Sequence, residues 1–253
     1  MCTRSTVRPW PRAGPNVGAV KRDATSEVTA VLSGANGTQR RRAGPPSARA
    51  MAREQDIIDA AAEMFHRRGY AATTLQDIAD AVGILKGSLY YYIDGKEDLL
   101  YRITSVIHDE ARANLAAARS VRGTTGERLR VLCEGHVLSF GRHLTKIRVF
   151  YTEYGSLSPE RRRQIMAERR AYEAFVEQLV VEGQRDGSFC PDLDPHVMTN
   201  AVLTLVNTLY LWYKPQRDAP IETVAKAYAD FTLHGLHCAP DHEHPPRPAR
   251  ARR

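Results

Sequence analysis

Residues 74–99 read TLQDIADAVGILKGSLYYYIDGKEDL, and they are the most informative part of the chain. Its first half carries apolar residues at helical spacing, which predicts a short helix with one inward stripe: Leu75, Ile78, Ala79 and Val82. Gly83 follows where a helix ends in a left-handed conformation. A second helix of about seven residues turns Ile84 and Leu89 inward, and so short a helix is stable only against a partner. Its polar and aromatic outer face suits the major groove of DNA.

This stretch also resembles a known family. The pattern TLxxIAxxVGIxxGxLYxY, followed by Lys96 and Leu99, is similar to the DNA-binding domain of TetR/AcrR-type transcriptional regulators. The likeness extends more loosely over residues 51–236. Ile93 stands where the family usually has Phe, and Gly95 stands where Ser, Asn or Asp usually caps the next helix, although Gly is an acceptable cap. The resemblance implies an all-α protein with an N-terminal three-helix DNA-binding domain and a C-terminal helical domain for ligand binding and dimerisation.

The predicted DNA contacts lie on and around the second helix of the motif. Lys86 stands in its first turn, where backbone donors and the helix dipole favour phosphate or base acceptors, and its ammonium could donate to a guanine. Gln76 is similar in position to a residue that reaches base edges in several family members. The full predicted set is Thr74, Gln76, Lys86, Gly87, Ser88, Tyr90, Tyr91, Tyr92 and Lys96. Two alternatives stay open: Tyr90 or Tyr91 packs in the core, or Lys86 is a solvated charge.

The charge of the chain is concentrated in its two ends. Residues 1–50 hold nine Lys and Arg against two Asp and Glu, and residues 240–253 hold four against two. The 23 basic and 25 acidic residues between them give that part a net charge of −2. Its DNA affinity must therefore come from locally placed cations and helix ends. A general chromosome-coating protein, which needs a basic body, is disfavoured.

Composition divides the chain into four parts. Residues 1–50 are predicted to be a disordered basic extension, either an arm that reaches phosphates or a dispensable segment ahead of a true start at Met51. The resemblance implies a helix-turn-helix domain over residues 51–97 and an effector-binding and dimerisation domain over residues 98–238, and residues 239–253 are predicted to be a disordered tail. The His and Cys residues near that tail are interpreted as a solvated end, and no metal or cofactor is predicted.

Helix-period patterns with capping signals fill the rest of the chain, and no strand is predicted. A serine or aspartate before a proline marks two helix starts, at Ser158 and Asp194. The predicted helices are 51–68, 96–120, 127–143, 145–155, 159–186, 195–213 and 220–235. Four cysteines without paired spacing indicate reduced thiols in a cytoplasmic, nucleoid-associated protein. No apolar run is long enough to span a membrane.

The central helices are predicted to form an effector pocket. Aromatic side chains suit a hydrophobic ligand: Phe140, Phe150, Tyr151, Tyr154, Tyr172, Phe175 and Trp212. Arg148 and Arg185 could hold an anionic end. The alternative is that any one of these aromatics belongs to an ordinary core. Segments 187–194 and 211–215 are similar to the C-terminal domain of KstR-type regulators of steroid and fatty-acid breakdown, which implies an acyl-CoA thioester as effector.

The last two predicted helices are expected to form a homodimer interface, because a symmetric operator needs two DNA-binding heads. The predicted interface is Val202, Leu205, Val206, Leu209, Val224, Ala227, Tyr228 and Phe231, and the alternative is that these stripes face the core of one monomer. The sequence thus predicts a ligand-responsive DNA-binding regulator, a repressor by family precedent. A regulator of efflux or stress genes is the alternative. A helical enzyme is disfavoured, since no catalytic motif is present.

Overall fold

The protein folds as helices only over residues 47–238, the part that the computed structural model describes. The helices are α1 (Ala48–Arg68), α2 (Leu75–Ala81), α3 (Lys86–Leu89), α4 (Lys96–Ser120), α5 (Thr125–Glu153), α6 (Pro159–Asp186), α7 (Pro195–Asn207), α8 (Leu209–Trp212) and α9 (Ile221–Leu236), with a 3₁₀ turn at Tyr154–Ser156. Within these residues no helix has the length and apolarity to cross a bilayer. The all-α prediction is confirmed.

The boundary predicted at residue 51 is wrong by a few residues, because α1 begins at Ala48. Ser47 is its N-cap, and the serine Oγ accepts from the Ala50 N–H at 3.2 Å. Residues 48–50 are thus helical, and Ser47 caps them, so they are not part of a disordered extension. The rest of the predicted extension, residues 1–46, lies outside the described residues, as does the predicted tail at 239–253.

The first three helices form the head, and the turn inside it follows the sequence pattern. Thr74 and Asp77 make a reciprocal capping box at the start of α2, which satisfies two backbone donors. Gly83 takes φ +69° after α2, a conformation that glycine adopts without strain. The Ile84 N–H then bonds the Ala79 carbonyl at 3.0 Å, and this closes the turn and directs the chain into α3.

The second helix of the motif is shorter than predicted. α3 has four residues instead of seven. The chain then continues in tighter turns, in which the N–H groups of Tyr91 and Tyr92 bond the carbonyls of Ser88 and Leu89 at 3.2 and 2.9 Å. Such bonds to the third residue back belong to 3₁₀ geometry. The fully buried Leu89 holds this short helix on the head.

The break expected between residues 143 and 145 is present as a kink within α5, where His143 leaves helical geometry (φ −126°, ψ 26°). The expected helix 195–213 is instead divided at Thr208 into α7 and α8. Arg148 helps to explain why α8 ends after one turn, because its guanidinium donates to the Tyr210 and Tyr213 carbonyls at 3.3 and 3.0 Å. Those carbonyls therefore have partners without a continued helix.

The apolar core of the head extends into the body. Val149 and Phe150 from α5 and Leu157 and Ile165 from the region of α6 are buried in the same cluster as Leu89. Two further clusters occupy the body, one between α4, α5, α6 and α7 and the other between α5, α7 and α9. The head therefore completes its core only with residues from beyond the boundary predicted at residue 97.

Candidate DNA interface and effector cavity

The segment around α3 presents an exposed surface at the tip of the head. Its exposed residues are Leu85, Lys86, Gly87, Ser88, Tyr90 and Tyr91. Tyr90 is 51% exposed and Tyr91 is 79% exposed, so the alternative in which either ring packs in the core is not supported. Tyr92 is half-buried, and its ring meets the Tyr91 ring edge-on at 5.3 Å between centroids. Five of the predicted DNA contacts thus share one solvent-facing surface.

Besides these five and the half-buried Tyr92, three predicted DNA contacts are engaged inside the head. The Thr74 hydroxyl donates to Asp77 at 2.6 Å within the capping box, so its side chain is already paired. The exposed Gln76 amide donates to Asp80 at 2.7 Å. Lys96 donates to the Ala71 carbonyl at 3.2 Å and lies over the Tyr70 ring. A phosphate or base would have to compete with these partners, and the exposed surface around α3 is the stronger candidate.

A cavity of about 90 Å³ lies between α4, α5, α6 and α7. Its apolar wall consists of Ile107, Leu115, Phe140, Ile147, Phe150, Tyr151 and Leu203. Polar side chains stand at one end, and charged residues of α4 and α6, among them Arg112 and Arg169, complete the lining. An apolar cavity with a few converging polar groups is the usual form of a small-molecule site.

The polar end of the cavity is a chain of hydrogen bonds centred on His136. Asn114 donates from Nδ2 to the Tyr172 hydroxyl at 3.1 Å, and that hydroxyl lies 3.0 Å from His136 Nδ1. His136 Nε2 lies 3.2 Å from Asn207 Oδ1. One neutral tautomer satisfies every bond: Tyr172 donates to Nδ1, and the Nε2–H donates to Asn207. The cavity therefore ends in a fixed polar group.

Burial keeps the side chains of His136, Tyr172 and Tyr151 in the cavity uncharged at neutral pH. Desolvation lowers the pKa of His136 to about 4, with a smaller contribution from Arg169. Desolvation also raises the pKa of Tyr172, and it raises that of Tyr151 to about 12. At neutral pH the cavity end is therefore a neutral donor and acceptor array, suited to a carbonyl or hydroxyl group of a ligand rather than to a carboxylate.

Four of the predicted aromatic residues line this cavity, namely Phe140, Phe150, Tyr151 and Tyr172. The prediction for the others is corrected. Phe175 is 3% exposed in the body core, beneath Arg119 and Arg128. Tyr154 packs on Phe150 behind the cavity wall. Trp212 is 43% exposed and donates to the Tyr228 hydroxyl at 3.2 Å.

The two arginines predicted to hold an anionic end are also outside the cavity. Arg148 holds the carbonyls of α8, as described above, and Arg185 is exposed near the end of α6. The side chains that the sequence did not single out are Asn114, His136 and Asn207. Polar residues on three separate helices carry no common sequence pattern, so nothing in the linear order connects them.

The predicted dimer stripe is only partly exposed. Val202, Val206, Leu209 and Val224 are buried in the body of one chain, and for these four residues the alternative of a monomer core is correct. They contact α5 and its neighbours because that is the apolar side of α7, α8 and α9. Ala227 and Phe231 are exposed, and Leu205 and Tyr228 are half-buried.

Comparison with known proteins agrees with this architecture. The family described as "Bacterial regulatory proteins, tetR family" matches residues 57–103, and "Tetracyclin repressor-like, C-terminal domain" matches residues 122–236. The HTH-type transcriptional repressor KstR2 of Rhodococcus jostii (strain RHA1) is 30% identical over 189 residues, which cover 73% of this chain and 91% of that protein.

Two solved structures show the same fold. The ketosteroid transcriptional regulator KstR2 of Mycobacterium tuberculosis superposes with a TM-score of 0.69 at 26% identity, covering 74% of this chain and 96% of that one. AibR, solved in complex with isovaleryl coenzyme A and operator DNA, gives a TM-score of 0.62 at 28% identity and covers 73% and 97% of the two chains.

A helix-turn-helix head on a helical body that encloses a cavity defines a class of protein, the ligand-responsive DNA-binding transcriptional regulators. Within that class, the matched families and the KstR2 relative show that this chain belongs to the tetR family of bacterial regulatory proteins. The family resemblance of residues 74–99 is thereby confirmed.

Proposed function

We propose that this protein is an operator-specific repressor that acts as a homodimer and is released from DNA by a small acyl-CoA. One observation carries the ligand response: Phe150 belongs at once to the cavity wall and to the core of the head. A ligand that moves this ring changes the packing beneath α1, the helix of the head that contacts α5. Only such a difference in packing between the bound and empty states can change the affinity for DNA.

The size of the cavity favours a short acyl group. A water-sized group takes roughly 10–15 Å³ of such space, so a volume of about 90 Å³ accommodates on the order of six to nine non-hydrogen atoms. The relative AibR was solved with isovaleryl coenzyme A, a short branched thioester. The neutral polar end would receive the thioester carbonyl or a polar group of the acyl chain. Arg112 and Arg169 would attract the phosphates of the coenzyme.

The dimer would use the exposed side of α7 and α9. An open groove of about 600 Å³ lies between these helices, and Ala201, Leu205 and Phe231 are among its lining residues. Phe231 is 69% exposed, and Val197 is 54% exposed on the same helix pair. Large exposed apolar side chains that cluster in this way mark an interaction surface. A second copy would present the same surface around a two-fold axis.

Lys86 and Lys96 should separate base reading from phosphate binding. We expect Lys86→Ala to weaken binding to the operator by about 1–3 kcal/mol more than binding to random DNA, because an exposed lysine on α3 can reach a guanine. Lys96→Ala should weaken both alike and reduce the salt slope by about one unit. The measurement is fluorescence anisotropy with the upstream intergenic DNA and a shuffled duplex over a range of salt concentrations.

Arg122→Ala is the control for these variants, since Arg122 is exposed just beyond the end of α4, about 25 residues from the start of that helix at the head and outside the proposed dimer surface. Its affinity for both duplexes should equal that of the unmodified protein. Equal losses on both duplexes for Lys86→Ala would assign Lys86 to a phosphate and contradict its role in base reading.

A ligand titration tests the proposed effector. The protein bound to its upstream DNA is titrated with isovaleryl-CoA, a long-chain acyl-CoA, a steroid-derived acyl-CoA and free coenzyme A. We expect release by the short thioester at the lowest concentration and none by free coenzyme A. Ala111→Trp, which fills the cavity, should abolish the release, whereas Ala116→Trp on the exposed side of α4 should retain it.

Each other outcome of that titration has a defined meaning. Release by the steroid-derived or long-chain thioester alone would contradict the argument from the size of the cavity. The protein would still be a ligand-responsive regulator, with a larger effector. Operator binding that ignores every thioester would favour the alternative, a regulator of efflux or stress genes that senses a different hydrophobic molecule. Release that persists in Ala111→Trp would place the ligand outside this cavity.

A further inference from the structure

Two cysteines that are far apart in the sequence are brought together at the end of the body. The segment after α6 runs beside the end of α9: the Cys190 N–H donates to the Leu236 carbonyl at 2.8 Å, and the rings of Phe189 and His237 meet edge-on at 6.2 Å. Along these paired segments the Cys238 thiol lies within hydrogen-bonding distance of the Cys190 thiol. The spacing of the cysteines along the sequence does not indicate this proximity.

Hydrogen bonds hold the backbone of Cys190 through both its N–H and its carbonyl group. Gln184 donates from Nε2 to the Cys190 carbonyl at 2.9 Å, and the same nitrogen donates to the Leu193 carbonyl at 2.6 Å. Phe189 is 2% exposed, and its ring lies against Gly183 so closely that a β-carbon there would be 2.1 Å from the ring. Cys190 itself is 3% exposed, whereas Cys238 is partly exposed. One thiol is therefore fixed, and the other is reachable from solvent.

We propose that Cys190 and Cys238 form a reversible intramolecular disulfide that fastens the end of α9 to the connection between α6 and α7. The oxidant is a hydroperoxide. The Cys238 thiolate attacks one peroxide oxygen, the O–O bond breaks, and the second oxygen leaves as water after taking a proton. The resulting sulfenic acid is attacked by the Cys190 sulfur, which forms the S–S bond and releases a second water. Two thiols are oxidised, and one hydrogen peroxide is reduced to two waters.

The environment of the pair sets the speed of this reaction. Its contact with the Cys190 thiol, and to a lesser degree desolvation, raises the pKa of Cys238 to about 11. Since the thiolate is the nucleophile, only a small fraction of the molecules is reactive at pH 7. The initial oxidation rate should therefore rise about tenfold for each unit of pH between 7 and 9. Such a pair responds to sustained oxidation rather than to a brief pulse of peroxide.

The test uses the full chain. Purified protein is incubated with excess hydrogen peroxide at pH 7, 8 and 9, the remaining thiols are alkylated, and the peptides are mapped by mass spectrometry. We expect a cross-linked peptide pair that contains Cys190 and Cys238 and lacks two hydrogen atoms. We also expect a melting temperature several degrees higher than before, because the cross-link restricts the unfolded chain. Dithiothreitol should reverse both changes.

Two variants make the result specific. Cys238→Ser should lose the cross-link and the rise in melting temperature, and its unoxidised form reports whether the fold is intact. Cys133→Ser should keep both effects, because Cys133 is buried elsewhere, on α5. Further oxidation of Cys238 with Cys190 still reduced would overturn the proposal. So would a cross-link that joins either cysteine mainly to Cys2 or to a second chain. These outcomes leave the proposed DNA and ligand functions untouched.

Discussion

Leu89→Ala should lower the free energy of unfolding by about 2–5 kcal/mol, the usual cost of truncating a fully buried leucine. Leu89 is 0% exposed and is the one buried residue of α3. Because α3 has four residues, little else fixes it to α1 and α2. The variant should therefore also lose specific DNA binding at temperatures at which the body is still folded. Urea unfolding followed by circular dichroism measures the stability, and anisotropy measures the binding.

Leu85→Ala is the matched control for that variant. The two leucines are one helical turn apart, but Leu85 is 79% exposed. Its truncation should change the stability by less than about 0.5 kcal/mol. A loss of DNA binding by Leu85→Ala would then come from a lost contact with DNA and not from unfolding of the head. If the two variants lost equal stability, the burial of Leu89 could not explain the loss in Leu89→Ala. The packing of α3 on the head through Leu89 would then be wrong.

Lowering the pH from 7 to 5 should cost the protein about 1–2 kcal/mol of stability through His136 alone. Desolvation holds its pKa at about 4 in the folded state, whereas an unfolded histidine titrates near 6.5. Between these values the unfolded chain binds a proton that the folded chain does not. The contribution of His136 is therefore complete above about pH 6.5 and is lost as the pH falls towards 4.

The comparison of His136→Gln with His66→Gln isolates this effect. His136→Gln should flatten the dependence of the unfolding free energy on pH between 7 and 5. The exposed His66 serves as the matched position, and its replacement should leave the slope as it was. Burial and the positive charges of Arg169 and Arg112 lower the pKa of His108 also to about 4. The unfolding free energy of His136→Gln should therefore still depend on pH to some extent because of His108. The Glu168 carboxylate, 3.5 Å from His108 Nδ1, favours the protonated histidine and reduces this remaining dependence.

The helix-turn-helix could be predicted because its signals are local. The capping box of Thr74, the left-handed Gly83 and the buried Leu89 act within a few residues of one another. The starts of α6 and α7 were predicted for the same reason, since Ser158 and Asp194 each cap a helix that opens with proline. Local signals also gave the length of α4 and the end of α6 at Gly187.

The lining of the cavity could be predicted only from residue types, and this identified four of its aromatic residues but not its polar end. Aromatic side chains indicate an apolar interior but do not say whether a given ring borders a space or fills one, so Phe175 and Phe140 are alike in sequence. The polar end depends on Asn114, His136 and Asn207, which come from three helices and meet only after packing. The end of α8 likewise depends on Arg148, a residue distant in the chain.

The core that the head shares with α5 and α6 has a consequence for engineering. A chimera that joins this head to the body of another regulator would leave Leu89, Ile57 and their neighbours without Val149, Phe150 and Leu157. An exchange of DNA specificity between family members should therefore keep the buried residues of the head and graft only its solvent-facing side chains. The transplantable unit is a surface of a few side chains around α3, and the fold beneath it has to stay with its own body.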